Sequence, residues 1–440
     1  MKKIIEAVEK SRELILDAER YIWANPETGY KEYKTSRYLE EEFKKLGYDL
    51  VKPDGITGFV TTIDTGKEGP CLLILGELDS IICPAHKDAD PETGAVHSCG
   101  HHAQCATLLG IAAALREPGI LDGLSGKIKL CAVPAEELLE IEYRSELKHK
   151  GIIKYLGGKS EFMYRGLFDG VDISFMVHTS TSYACRGGSV GCLAKNIIYK
   201  GTAAHAGGAP QNGINALYAA NCGLNAINAI RETFTESELI RVHPIITRGG
   251  DMVNAIPEIV QLESYVRGKT FEAIENANKK VDRALIGGAL SIGANIEIID
   301  SPGYSPLVND KEMIKLAIES AKELGIEIDY SDAIGTGSTD MGDLSAIMPV
   351  VHPYAGGARG KSHGNDYEIV DAEAACITNA KWQLNMMRHL LENGAELAKS
   401  IISSYKPAFE SKEAFLAYQD SLNTSGDRIE YTDGKAIIKF

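Results

Sequence analysis

Three apolar runs constrain this chain more than any other feature: CLLILGE at 71–77, KIKLCAVP at 127–134 and DISFMVH at 172–178. Each has strand length, and the first is apolar almost throughout, as a strand buried on both sides is. Between the first two lies AQCATLLGIAAALRE (103–117), a helix by its length and small apolar content. Strands separated by helices pair in parallel, with helices covering both faces of the sheet. Two amphipathic helices, over 3–24 and 32–46, and short alternating strands in GYDLVK and GFVTTID precede this core.

Near Gly187 and Gly188 the pattern changes. The spacing predicts strand 192–201, helix 212–234, strands 239–250 and 258–268, helix 270–293 and strand 295–300. This β-α-β-β-α-β order is that of a ferredoxin-like unit, and it is self-contained. After SPGYSPLVND the α/β character returns with helix 311–325, the apolar run IMPVVHP (347–353) and a long helix over about 371–400. The expected architecture is therefore an α/β chain in which a catalytic mixed-sheet domain, residues 1–188 and 301–440, is interrupted by a smaller βαββαβ domain at 189–300. The last forty or so residues are polar and weakly periodic, and the pattern gives them no role.

Composition narrows the function. Lysine plus arginine is 46 and aspartate plus glutamate is 61, so the net charge of −15 repels a phosphate backbone and argues against a nucleic-acid partner. No stretch approaches the ~18 apolar residues of a membrane span, and MKKIIEAVEKSRELILDAER lacks the apolar core of a secretory signal, so a cytoplasmic location is expected. Nine scattered cysteines without paired-motif spacing read as reduced thiols.

In open parallel sheets the ligand crevice lies beyond the carboxyl ends of the strands. Here those ends carry Glu77 and Asp79, the pair Glu136 and Glu137, and His178, while HSCGHHAQ, with His97, Cys99, His101 and His102, precedes the helix at 103. GKSHGNDYE adds His363. Taken singly, each has an ordinary reading: a surface histidine, acids capping a helix start, a small buried thiol. Together they bring carboxylate, imidazole and thiol to one rim, the ligand set of a borderline transition metal. Gly100 permits the non-helical turn in which Cys99 and His101 both aim inward. Three other motifs fail on context. GGSVG (187–191) is followed by a strand where a nucleophile elbow needs a helix, AGGARGKS (355–362) lacks the first glycine of a phosphate loop, and GTGSTD (335–340) lacks a complete dinucleotide fingerprint.

In order and over nearly the whole chain, NPETGYKEYKTSRYL, HSCGHH, PAEE, the VH at 177–178, GTAAHAGGAP, NAIPE and KSH resemble the aminoacylase/carboxypeptidase metallohydrolases. The nearest branch is that of hippurate hydrolase, N-acyl amino acid deacetylases and aminobenzoyl-glutamate hydrolase. The resemblance implies a zinc-peptidase-like catalytic domain with a ferredoxin-like lid that dimerises, and two divalent metal ions per subunit, zinc or manganese. It implies Cys99, His101, Glu137, His178 and His363 as metal ligands, Glu136 as general base toward a metal-activated water, and Asp79 as the carboxylate behind the centre. From the lid it implies His205 as oxyanion donor, with Asn254 and Arg267 binding substrate, an N-acyl amino acid or peptide-like amide.

The chain departs from that pattern at His102 and Gln104, where the branch has an aspartate and a further histidine, and at Thr339, where many relatives have a glutamate. It departs again after PAEE, where a charged segment over 138–166 replaces a glycine-rich run. Two alternatives to a metallo-amidohydrolase stay open: a metal-free hydrolase with Cys99 as nucleophile, and a noncatalytic metal-binding or sensing relative.

Overall fold

The computed structural model describes residues 1–440, which divide into two compact units. The larger comprises Met1–Gly188, Leu307–Gly335 and Thr339–Lys412, and the smaller Ser189–Pro306, Thr336–Ser338 and Glu413–Phe440.

The larger unit opens with helices α1 (Lys2–Lys10), α2 (Arg12–Trp23) and α3 (Tyr33–Lys45). The single helix expected over 3–24 is broken at Ser11, which caps one helix and starts the next. Strands β1 (Phe59–Asp64), β2 (Cys71–Glu77), β3 (Lys127–Val133) and β4 (Ile173–Phe175) follow, and with Val350–Val351 they form a sheet ordered β1-β3-β2-β4-(350–351). Only the β1 edge is antiparallel; the other pairings are parallel. Helix α4 (His101–Leu115) is buried along its entire length. A helix apolar all round must be covered on every side, and α4 is packed among β2, α2 and the helical stretch beginning at Glu373. The long helix expected over 371–400 is interrupted at Asn393, Gly394 and Ala395, all in left-handed backbone. Two short helices, α5 (Ile141–His149) and α6 (Gly158–Tyr164), occupy the charged segment after PAEE.

The smaller unit is built from β5 (Gly191–Lys200), helix α7 (Ala216–Ile230), the short strands β6 (Arg241–Val242) and β7 (Ile245–Arg248), β8 (Ile259–Gly268), helix α8 (Phe271–Leu290) and β9 (Asn295–Pro302). Its sheet is antiparallel with order β6-β8-β5-β9, and β7 also pairs with β8. The single strand expected over 239–250 is two, separated at His243–Pro244, because proline supplies no ladder donor. Alternate residues of β8 are buried, and its inward side chains join those of α7 and α8 in a core of their own.

The terminal segment corrects the expected domain boundary. The pattern places residues 301–440 in the larger domain, yet Glu413–Phe440 packs with the smaller unit. Thr424 and Asp427 bridge to Asp300 and Glu297 on β9, and the Arg428 N–H donates to the Ile296 carbonyl at 2.8 Å. These main-chain bonds fall along a strand edge that the polar sequence of the segment does not advertise.

Candidate metal centre and active site

The site starts from the sheet order. β3, β2 and β4 lie side by side in parallel, with Glu77 in register with Val133, so the segments leaving their carboxyl ends share one rim. Glu77 closes β2, with Asp79 two residues on; Glu136 and Glu137 follow β3; His178 follows β4. Gly100, at φ +96°, turns the chain into α4 where a Cβ would lie 2.4 Å from the Tyr367 hydroxyl, so glycine is required there. That turn sends both Cys99 and His101 inward. His363 comes from a distant loop whose N–H donates to the Ser98 carbonyl at 2.9 Å, next to Cys99.

The ligating atoms converge. Cys99 Sγ is 3.4 Å from His178 Nε2, and His363 Nε2 is 2.9 Å from Glu137 Oε1. Two sets, Cys99/His101/His178 and Cys99/Glu137/His363, each hold their ligand atoms within 4.8 Å, and the Cys99 sulfur belongs to both. A third set, Glu77/His101/Glu136, shares His101. His101 Nδ1 is 2.9 Å from the Asp79 carbonyl and His178 Nδ1 is 2.8 Å from that of Thr179. A proton on each Nδ1 satisfies those carbonyls and leaves Nε2 as the donor atom toward the centre. Asp79 does more, since its Oδ2 accepts the Glu137 N–H at 2.8 Å and so ties two of the converging residues together.

The electrostatics follow from burial and charge. Burial opposes ionisation of Cys99, but His101 and His178 bring its thiol down to about 6. Burial likewise works against Glu137, yet the hydrogen bond and charge of His363 hold it at about 2. Glu136 is pushed well up, first by burial and then by Glu77 and Glu137. His101 Nε2 and Glu77 Oε2 face each other at 3.2 Å, and neither these atoms nor Asp79 Oδ1 makes a well-aligned hydrogen bond. Thiolate, imidazole and carboxylate atoms aimed at common points, some of them without a well-aligned hydrogen bond, are a donor set that fits divalent transition metals.

The structure gathers Cys99, His101, Glu136, Glu137, His178, His363 and Asp79 in the larger unit. It places His205, Asn254 and Arg267 in the smaller one. His205 and Asn254 are neighbours: His205 bridges Ala255, and the Ala206 N–H donates to the Asn254 carbonyl at 3.0 Å. His205 is exposed, its Nδ1 accepting from the Gly208 N–H at 2.9 Å. Arg267 lies on β8, with Nη1 donating to Ser338 Oγ at 2.9 Å.

His102 belongs to none of the three convergent sets. Its ring contacts Trp23 at 4.8 Å and its Nε2 lies 3.4 Å from Glu19, on the α2 side of α4. Several residues of the rim have no role in the sequence reading. Lys159, on α6 and fully buried, donates to Glu77 Oε1 at 2.6 Å and to Asp340 Oδ1. His352, also buried, has its ring centroid 5.8 Å from that of His178. His352 closes an apolar run as His178 does, so the strand-end rule could have found it. Asp340 lies inside GTGSTD, and a lysine in a charged stretch carries no signal.

A model of peptidase family M20/M25/M40 matches residues 74–389. The chain belongs to this family and is a hydrolase acting on amide bonds. The Xaa-Arg dipeptidase of Mus musculus is 28% identical over 368 residues, covering 80% of this chain and 79% of the relative. A component of the p-aminobenzoyl-glutamate hydrolase of Escherichia coli is 26% identical over 328 residues, covering 62% of this chain and 70% of that protein. Among solved structures, a putative aminohydrolase from methicillin-resistant Staphylococcus aureus aligns with a TM-score of 0.70 at 22% identity, over 89% of this chain and all (100%) of that one. A dinuclear metal-binding M20 peptidase from Bacillus subtilis aligns with a TM-score of 0.62 at 19% identity, over 86% of this chain and 98% of that one. No helix is long and apolar enough to cross a membrane.

Proposed function

We propose that the protein is a dinuclear metal-dependent amidohydrolase that cleaves the amide joining an acyl group to an amino acid, or a dipeptide-like bond. The observation that carries this reading is the Cys99 sulfur, which belongs to both the His101/His178 and the Glu137/His363 sets, donors that would hold two divalent cations side by side. The relatives named Xaa-Arg dipeptidase, p-aminobenzoyl-glutamate hydrolase and indole-3-acetyl-aspartic acid hydrolase support the substrate class, since each name describes an acyl group on an amino acid.

Cys99, His101, Glu137, His178 and His363 would hold two ions, zinc or manganese, with the thiolate favouring zinc. When bound, such ions acidify water and polarise a carbonyl. Glu136 accepts the proton of the attacking water and returns it to the leaving nitrogen as the C–N bond breaks. Its elevated proton affinity in this buried, acid-rich setting suits that exchange. Asp79 orients His101 through Nδ1 and Glu137 through its N–H.

The β-α-β-β-α-β order of the smaller unit supports its reading as a ferredoxin-like lid. Within it we assign His205 to the oxyanion, and Asn254 and Arg267 to the substrate, with the guanidinium fork suited to a carboxylate. Strand β7 is exposed along its length, and Ile245, Ile246, Met252 and Val253 present apolar surface there, which supports a homodimer formed through this unit.

One observation favours a second reading. A thiol lowered to about 6 and 3.4 Å from an imidazole is also the pair of a cysteine hydrolase. Elemental analysis of wild type, Cys99→Ser and Glu136→Ala, with turnover of an N-acyl amino acid panel, separates the two. Cys99→Ser is expected to lose metal, while Glu136→Ala keeps it and loses activity by roughly 10²–10⁴-fold. Activity that survives prolonged chelation and dies on thiol alkylation would establish the cysteine reading instead.

A further inference from the structure

The turn that carries Glu136 and Glu137 is held in an unfavourable backbone shape. Ala135, immediately before the pair, has φ +56°, and Glu140, three residues after it, has φ +51°. Non-glycine residues avoid this region because the Cβ meets the backbone, so both must be held by their surroundings. A single loop near the amino terminus, 28–32, reaches both. Thr28 Oγ1 and Lys31 Nζ bind the two carboxylate oxygens of Glu140 at 2.6 and 2.7 Å, and Glu32 Oε1 accepts the Ala135 N–H at 2.8 Å. Tyr30 in this loop is itself left-handed, at φ +62°.

Arg144, on α5, holds the turn from the other side. Only 1% exposed, it donates from Nη1 to the Ala135 carbonyl at 3.4 Å and to that of Leu156 at 2.8 Å, and from Nη2 to the Glu137 carbonyl. The loop and the arginine are in close contact, since a Cβ on Gly29 would lie 2.3 Å from Arg144 Nη2 and 2.9 Å from Ala135 Cα. The buried carboxyl of Glu32, which burial and then Asp79 push up to about 8, thus takes the donor side of the Ala135 residue, and a buried guanidinium takes the acceptor sides of Ala135 and Glu137. Arg144 belongs to the charged segment 138–166 that follows PAEE.

We propose that Arg144 and Glu32 are positioning residues for the Glu136–Glu137 pair, gripping its main chain from opposite sides so that the two carboxylates keep their separate directions. The proposal rests on the reading of that pair as base and metal ligand. Neither residue touches substrate; each acts through the backbone of residues 135–137. The charge-assisted hydrogen bonds of Arg144 are strong and directional, and with that of the Glu32 carboxyl they hold a strained turn at the point where a displacement of about 1 Å costs ~10²-fold in rate.

The test uses the full-length, metal-loaded protein and an N-acyl amino acid substrate. Arg144→Met is expected to lower kcat by on the order of 10²-fold with KM little moved and metal content kept. Adding Ala135→Gly to Arg144→Met is expected to recover part of that loss, because glycine adopts φ near +56° without the Cβ penalty. Glu32→Gln, which keeps a carbonyl acceptor, is expected to retain far more activity than Glu32→Ala. If Arg144→Met does not fold, Arg144→Lys with and without Ala135→Gly takes its place, since lysine keeps the charge but loses the fork. Wild-type kcat in the arginine variants, or no recovery with glycine at unchanged melting temperature, would overturn the proposal. Failure of the parent reading looks different: Glu136→Ala would then remain active, whereas failure of this inference leaves Glu136→Ala inactive and the Arg144 variants unimpaired.

Discussion

Lys159 in the larger unit and Lys195 in the smaller are both fully buried, and each lies between two carboxylates: Glu77 and Asp340 for the first, Asp282 and Asp300 for the second. The device is the same, and its consequence differs with where the second oxygen of the acid points. Glu77 spends Oε1 on Lys159 and turns Oε2 toward His101 Nε2, 3.2 Å away. With Lys159 and His101 beside it, Glu77 is held down to about 2 although burial alone would raise it. Asp300 instead accepts from Asn278 Nδ2 at 2.9 Å, and its own N–H reaches the Thr424 carbonyl at 2.8 Å, so this network closes on the fold. A buried ion pair is thus structural or functional according to what lies one hydrogen bond further out.

The sharpest way to break this comparison is Lys159→Met. It leaves two buried carboxylates uncompensated beside His101, and we expect a loss of ~3–5 kcal/mol in denaturant unfolding together with loss of metal by elemental analysis. Lys195→Met should cost a similar ~3–5 kcal/mol, but turnover per folded molecule should stay at the wild-type level, which kcat normalised to the folded fraction will show. Replacing the whole second network, Lys195→Met with Asp282→Leu and Asp300→Leu, should return stability to within ~1 kcal/mol of wild type, because apolar side chains of similar size can take the place of a buried ion pair. The matching triple at Lys159, Glu77 and Asp340 should regain stability and remain inactive. The smallest effect is expected at the start of α8, where Thr270 Oγ1 accepts the Ala273 N–H at 3.1 Å. Thr270→Ala should cost about 1 kcal/mol in thermal or chemical unfolding and leave kcat unchanged.

Much of the scaffold is legible in the amino-acid order because strand burial and helix periodicity are local. The run at 71–77 is the strand Cys71–Glu77, and the helix read from 103 begins two residues earlier, at His101, once Gly100 has turned the chain. Once the alternation of strands and helices implies a parallel sheet, the strand-end rule singles out Glu136, Glu137 and His178, which the structure brings to one rim. The same rule reaches His352, which stands directly after the two-residue strand Val350–Val351 in the apolar run IMPVVHP, although the sequence reading gives that run no site residue. Lys159 and Arg144 escaped for a different reason. In a charged segment each reads as solvated, and only long-range packing makes them buried. The terminal segment escaped because its few buried side chains, such as Phe415, Gln419 and Ile429, are too scattered to make a period, and its main-chain bonds to β9 leave no mark in the sequence.

The sequence by itself determined which chemistry this protein can offer: a thiol, imidazoles and carboxylates stationed at the ends of parallel strands, with glycine where the chain must turn inward. Only the tertiary structure decided that the Cys99 sulfur meets His178, 79 positions further along, and that loop 28–32 and Arg144 hold the Glu136–Glu137 turn. Strand formation depends on near neighbours, whereas these meetings depend on the order of strands across the sheet and on buried charges finding partners far along the chain. No local pattern encodes that order.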